Sequence, residues 1–337
     1  MLNLEFRYDT YLRIHEHLAF DDLTMNSQLR RFFAVAGLTT LEALRQPFLL
    51  FLTASCVIGI SLMPLLLLHT MGDAPKLVQD SALALHFVGG LLLGGYAASA
   101  ALGREIRRGT LATVLSKPVD RSTFYLAKFA GVAGVLILFS MATGIATLLA
   151  AHMADAPSNA FDFTTGGPLY LAPFAAVLLA DLLNYFKHRP FVSTAFVLLV
   201  AFLIVVFGIA AVSGNVVWRV LPASLLITFA TFVLAAIALA LITRLDLVPT
   251  LAVCTVIFLV GLMTDYVLGR AAIANRWIAF VYKLIPNWQH FWLADALTGE
   301  GAIPWRYVGW VGIYATFYLI GSLSLGILAF HNVETKA

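Results

Sequence analysis

Apolar residues along this chain gather into eight long runs, at roughly 48–70, 82–102, 128–152, 168–186, 191–213, 221–243, 247–268 and 307–330. A helix crosses the hydrocarbon of a bilayer with roughly 20 apolar residues, so each run approaches or reaches the length of a crossing. The fourth is the shortest and the least secure. Of the 21 basic and 18 acidic residues, only Asp181 and Asp265 fall well inside a run. The other charges sit at run ends or in connections, as a hydrocarbon solvent demands. The pattern predicts an all-α integral membrane protein, a polytopic helix bundle of about eight spans.

Composition agrees. The chain is 61% hydrophobic and 12% charged, against about 45–50% and about 25% for soluble domains, and its mean hydropathy is +0.90. These values exclude a soluble enzyme, a disordered tail and a disulfide scaffold. A net charge of +3 gives no argument for nucleic acid. Cys56 and Cys254 lie inside apolar runs, where they act as small hydrophobes. The first 46 residues are charged throughout, which predicts no removable signal peptide.

Basic residues set the orientation. With the N-terminus cytoplasmic, fifteen of the 21 fall on the inner side and six (Lys76, Arg219, Arg270, Arg276, Lys283 and Arg306) on the outer side. Both termini are therefore expected in the cytoplasm, and an even span count keeps this bias. Residues 1–46 form the cytoplasmic N-terminal segment, 47–330 the transmembrane region and 331–337 a cytoplasmic tail. From Ser27 to about residue 45, a capping serine and apolar Leu29, Phe32, Phe33, Ala36 and Leu44 predict an amphipathic helix on the inner surface. An ordinary cytosolic helix is the alternative. The outer connection 269–306 carries Trp277, Trp288, Trp292 and Trp305 and is broken by Pro286 and Pro304. It predicts interfacial or re-entrant short helices held at headgroup level, with a simple aromatic belt as the bland alternative.

Few residues offer chemistry. None of the six lysines sits in a GxxxxGK[ST] loop, so the chain shows no ATP site of its own. His15-Glu16-His17 is a solvated charged stretch, because three adjacent residues do not share a helix face. No catalytic motif is present and no cofactor or metal is expected on this chain. Three intramembrane polar residues are candidates. Asp181 is expected to pair with Lys187, His188 or Arg189, Asp265 to be interfacial and structural, and His86 to be a satisfied packing histidine. Gly89, Gly90, Gly94 and Gly95 give the second run a small-residue surface, which places it at the centre of the bundle or against another subunit.

The cytoplasmic connection 103–127 is the most informative stretch. Glu105 to Leu115 can form a short helix with Ile106, Leu111, Val114 and Leu115 as an apolar stripe among basic residues, ended by Pro118. Lys128 is expected at the headgroups. A stripe exposed to the cytoplasm needs a partner; a basic loop that only sets topology is the alternative.

Glu105, Gly109-Thr110-Leu111, Leu115-Ser116, Pro118-Val119, Arg121, Tyr125 and Lys128 resemble the loop between the second and third spans of type-2 ABC transporter permeases, close to E-x3-GTL-x3-LS-x-P-V-x-R-x3-Y-x2-K. The Leu284-Ile-Pro-Asn-Trp-Gln-His-Phe stretch is more weakly similar to the family's outer helices. The resemblance implies a transmembrane subunit of an ATP-driven exporter in a bacterial inner membrane, with a coupling helix docked on a separate ABC ATPase subunit that holds ATP and Mg. It also implies a second permease subunit, identical or related, and Glu105, Arg107, Arg108, Thr110, Leu111 and Leu115 as ATPase contacts, with Glu105 the main polar anchor. The family commonly has six spans, so eight would mean six common spans plus an inserted pair, or a run that does not cross. Two rival readings are a membrane anchor or regulator for an ATPase that does not itself transport, and a secondary transporter.

Overall fold

The computed structural model describes residues 28–66, 74–107, 120–155, 166–269, 275–277, 279, 282, 285–297 and 301–331. All regular structure among them is helical: α1 (28–44), α2 (Pro47–Leu66), α3 (Ala74–Arg107), α4 (Arg121–Asp155), α5 (Gly166–Lys187), α6 (Phe191–Val212), α7 (Leu221–Leu241), α8 (Leu247–Leu262) and α9 (Trp305–His331). Residues 1–27, including the expected cap Ser27 and His15 to His17, lie outside the described residues, as does the tail from 332.

Among the described residues, seven helices are long and apolar enough to cross a membrane, and α8, at 16 residues, is shorter. Of the eight expected spans, seven therefore appear as full-length helices. The fourth run does form a 22-residue crossing helix, and the shortfall is in the seventh run. α8 reaches only about 24 Å, against a hydrocarbon core of about 30 Å.

The physical reason for the stop lies at Gly261. A Cβ there would come within 2.5 Å of the Pro286 carbonyl and the Trp288 indole, so the bare backbone lets residues 285–289 cross the helix end. Gln289 Nε2 donates at 3.0 Å to Leu262 O, a carbonyl freed at the helix end. Trp288 Nε1 adds a bond of 3.4 Å to Ile257 O, just over a turn earlier. A π-turn over Asp265–Gly269 follows.

Residues 285–297 then continue the path toward the far side along α9. Tyr318 donates to Ile285 O, Asn287 N–H donates to Tyr314 Oη and Tyr307 donates to His290 O. These tyrosines lie successively nearer the start of α9, with Tyr314 about 13 Å inside it. Asp295 faces Lys76, at the start of α3, at 3.9 Å. In place of an eighth crossing helix, α8 and residues 285–297 form a discontinuous element beside α9. The aromatic residues of the 269–306 connection divide between buried and exposed. Trp288 is fully buried and Trp292 stacks on Phe87 at 5.8 Å, whereas Trp277 and Trp305 are exposed.

α3 is central because its glycines admit neighbours on several sides. A Cβ on Gly90 would collide with the Thr231 side chain, one on Gly94 would meet Thr231 O at 3.1 Å, and one on Gly89 would meet Cys56 Sγ at 2.6 Å. α7, α2 and α4 therefore pack directly on its backbone. α1 lies against α4 by the same device: Thr40 Oγ1 donates to Gly131 O at 3.0 Å, and a Gly131 Cβ would lie 2.6 Å from Ala36 O. The opposite face of α1 exposes Leu29, Phe33, Leu38 and Leu41. This helix is apolar on two sides, one turned to protein and one open for lipid.

Candidate functional site

α3 and α4, at 34 and 35 residues, run to about 50 Å each. That exceeds what the hydrocarbon needs, so the described ends of α3 and α4 at Arg107 and Arg121 have length to spare beyond a crossing. The geometry of this stem is set by charge. Lys128 Nζ lies 2.6 Å from Glu105 Oε1, with side-chain exposures of 3% and 21%, and 5.4 Å from the Phe124 ring centre. Lys128, which the sequence suggests at the headgroups, is buried between the two helices. Its charge is balanced by the carboxylate and the ring face.

Further contacts fix both arms of the stem. Arg107 pairs with Asp246, before α8, at 3.3 Å. Arg121 donates to His331 O at 3.0 Å, and Arg244 to Ala329 O at 3.2 Å. Both arginines cap the C-terminal carbonyls of α9, where the helix dipole favours positive charge. Asp120 caps α4: its Oδ2 accepts from Ser122 N at 3.1 Å and from Thr123 N at 3.4 Å. Hydrogen bonding from Ser122 holds this carboxyl below the usual carboxylate range. Tyr125 is fully buried against Phe330 and occupies the space a Gly326 side chain would need. The ends of α3, α4, α7 and α9 and the start of α8 are therefore bound into one basic face.

Among the sequence-predicted contacts, Glu105 and Arg107 stand on this face. Arg108, Thr110, Leu111 and Leu115 lie outside the described residues. Glu105 is turned toward Lys128 rather than outward, and Arg107 is half-exposed beside Asp246. A carboxylate bound this way acts as a positioning group for the stem.

The intramembrane candidates are scattered. Asp181 is exposed on α5 and forms none of the expected ion pairs. Instead, Asn184 Nδ2 caps Arg189 O at 2.6 Å, turning the chain at His188, which has a φ of 50°. Asp265 Oδ1 accepts from Tyr282 Oη at 2.6 Å and Asn287 Nδ2 at 2.9 Å, a latch between the end of α8 and the returning segment. His86 is fully buried and packs edge-on against Phe139 at 6.0 Å, yet neither ring nitrogen has a hydrogen-bond partner among the described residues. It is a packing histidine but not a satisfied one.

Several of these links had no local signal. The Arg107–Asp246 and Arg121–His331 contacts join residues 139 and 210 positions apart. A lysine at the edge of an apolar run was visible; its partner 23 positions upstream was not.

Residues 43–196, somewhat under half of the 337-residue chain, match the family model described as ABC-2 family transporter protein. No curated protein and no solved structure matches the chain. The matched stretch begins in the last turn of α1, contains the stem and the connection it carries, and ends in α6. Residues 43–196 are therefore similar to the ABC-2 transporter family, and together with the long apolar helices this supports an integral membrane protein that is a permease subunit of an ABC transporter.

Proposed function

We propose that this chain is the permease subunit of an exporter in a bacterial inner membrane, driven by a separate ABC ATPase through the connection 103–127. The observation that carries the reading is the stem itself. Two over-long helices end at the basic face on either side of a short segment that is basic and apolar in sequence, and the buried Glu105–Lys128 pair holds their ends together. A lever needs a rigid base, because ATP can shift the bundle only through contacts that differ between its two states. Arg107, Arg108, Thr110, Leu111 and Leu115 would meet the ATPase. Glu105 would position them through Lys128 rather than touch the partner itself.

The basic face is the cytoplasmic one in this reading, since it carries Arg104, Arg107, Arg121 and Arg244. A second permease subunit would cover the outward face of α5, where Leu171, Phe174, Leu178 and Tyr185 are exposed around Asp181. A carboxylate at that depth facing hydrocarbon is costly and calls for a protein donor. Photo-cross-linking residues placed at 108 and 111 in cells expressing a candidate ABC ATPase test the coupling. Adducts with the ATPase from these positions, and none from position 174, are expected. Adducts from 174 alone would refute the assignment.

A further inference from the structure

A cavity of about 800 Å³ opens on the side of the bundle between α7, α8 and α9. Ile237 and Leu241 form one wall, Ile257 the second, and Phe317 and Leu325 the third; Pro286 closes the end toward the far side. The lining is apolar apart from Tyr318 and Ser322. Along α9 it runs from Phe317 to Ala329, about 18 Å, and it ends at the basic face. There Arg244 stands at its lip, donating to the carbonyl of Ala329, itself a lining residue.

From this geometry we infer a resident site for one anionic phospholipid of the leaflet on the basic face, with an acyl chain in the cavity and the phosphate at Arg244. Four observations converge on that occupant. The cavity opens between helices that cross the membrane, and hydrocarbon fills whatever apolar surface protein leaves uncovered there. Its volume falls within the roughly 300–1,000 Å³ of small-ligand sites. Its length matches one leaflet, half of the roughly 30 Å core. Finally, it is apolar for that length and ends at a guanidinium, whose planar fork suits a phosphate.

Asp246, next to this mouth, is engaged by Arg107 at 3.3 Å, so its charge is offset and Arg244 faces the headgroup position. A second small hollow of about 140 Å³, lined by Arg107, Thr243, Arg244 and Asp246, adjoins the same guanidinium and gives the headgroup room. The cavity exists because α8 and the returning segment do not pack along the inner half of α9. The discontinuous element thus creates the site. The inference needs only the membrane placement of the basic face and is independent of ATPase coupling.

The test reconstitutes the full chain in vesicles containing phosphatidylglycerol with a photoactivatable acyl chain and maps the labelled peptides. Label concentrated on 237–241 and 317–329, competed by unlabelled phosphatidylglycerol and not by phosphatidylcholine, is expected. Arg244→Glu should lower it at least about fivefold, the worth of one basic residue at an anionic surface. Gly321→Trp fills the cavity from a position where an added Cβ meets nothing within 4 Å, and it should abolish the label without disturbing the fold. Label spread evenly over all lipid-facing helices, equal competition by phosphatidylcholine, or label unchanged in both variants would overturn the proposal. So would a Gly321→Cys chain that cross-links to a second copy while wild-type protein takes up no label in the cavity.

Discussion

Replacing Glu105 by alanine removes the counter-charge of a lysine whose side chain is 3% exposed. Breaking a buried ion pair from one side costs about 3–5 kcal/mol, because the remaining charge is left without water or partner. Glu105 is itself 21% exposed, and that solvent access weakens the pair, so about 2–3 kcal/mol is expected for Glu105→Ala. Lys128→Met strands a carboxylate whose Oε2 is itself buried, so it too should cost about 2–3 kcal/mol. The double variant, with no charge stranded, should recover at least about 1 kcal/mol of the summed loss. Denaturant and thermal unfolding of the detergent-solubilised chain, run as a double-mutant cycle, read all three. If either single change left stability unaltered, or the two losses simply added, the stem would not be held by this pair.

Three further outcomes follow from local geometry. Gly261→Val should drive residues 286–288 off the end of α8 and cost at least about 1–3 kcal/mol by overpacking; unchanged unfolding and unchanged Trp288 fluorescence would argue against the discontinuous element. Asp120→Ala should cost about 0.5–2 kcal/mol at neutral pH through loss of the α4 cap. Because the folded-state pKa of Asp120 lies below its unfolded value, that contribution is complete above about pH 4 and is lost as pH falls through the depressed value. The gap in unfolding temperature between wild type and variant should therefore close in acid, and a gap independent of pH would contradict the capping role. Asp181→Asn should leave the fold of the single chain intact but weaken self-association or pairing with a related subunit in cross-linking. An unchanged cross-linked fraction would move the second subunit away from α5.

How much of this was legible in the sequence follows from which forces act locally. Seven long apolar helices among the described residues and the central glycine-rich α3 could be read because run length, small-residue spacing and the exclusion of charge from hydrocarbon are properties of single segments. Hydropathy could not reveal that α8 stops at Leu262. Residues 247–268 are apolar apart from Asp265 and three threonines, and the break is imposed from outside, by a backbone crossing at Gly261 that brings Trp288 from 27 positions downstream. The aromatic content of 269–306 signalled something other than a solvated loop. It could not tell Trp288 and Trp292, which are packed inside, from Trp277 and Trp305, which are exposed. At the stem, Glu105 and Lys128 were each noticed, but they were given separate outward tasks. A pairing across two helices depends on their register, which no local pattern encodes. Asp181 misled in the opposite way: nearby cations suggested a partner, yet the helix turns that carboxylate outward.

The central claim is that the connection carried by α3 and α4 docks an ATPase. Purifying the tagged chain in mild detergent from cells expressing its partner, as wild type and as Leu111→Asp, and assaying bound ATPase activity tests it most directly. The account predicts activity that travels with wild type and is lost with Leu111→Asp while the chain remains folded. No ATPase with well-folded wild type, or equal activity with both chains, would contradict it.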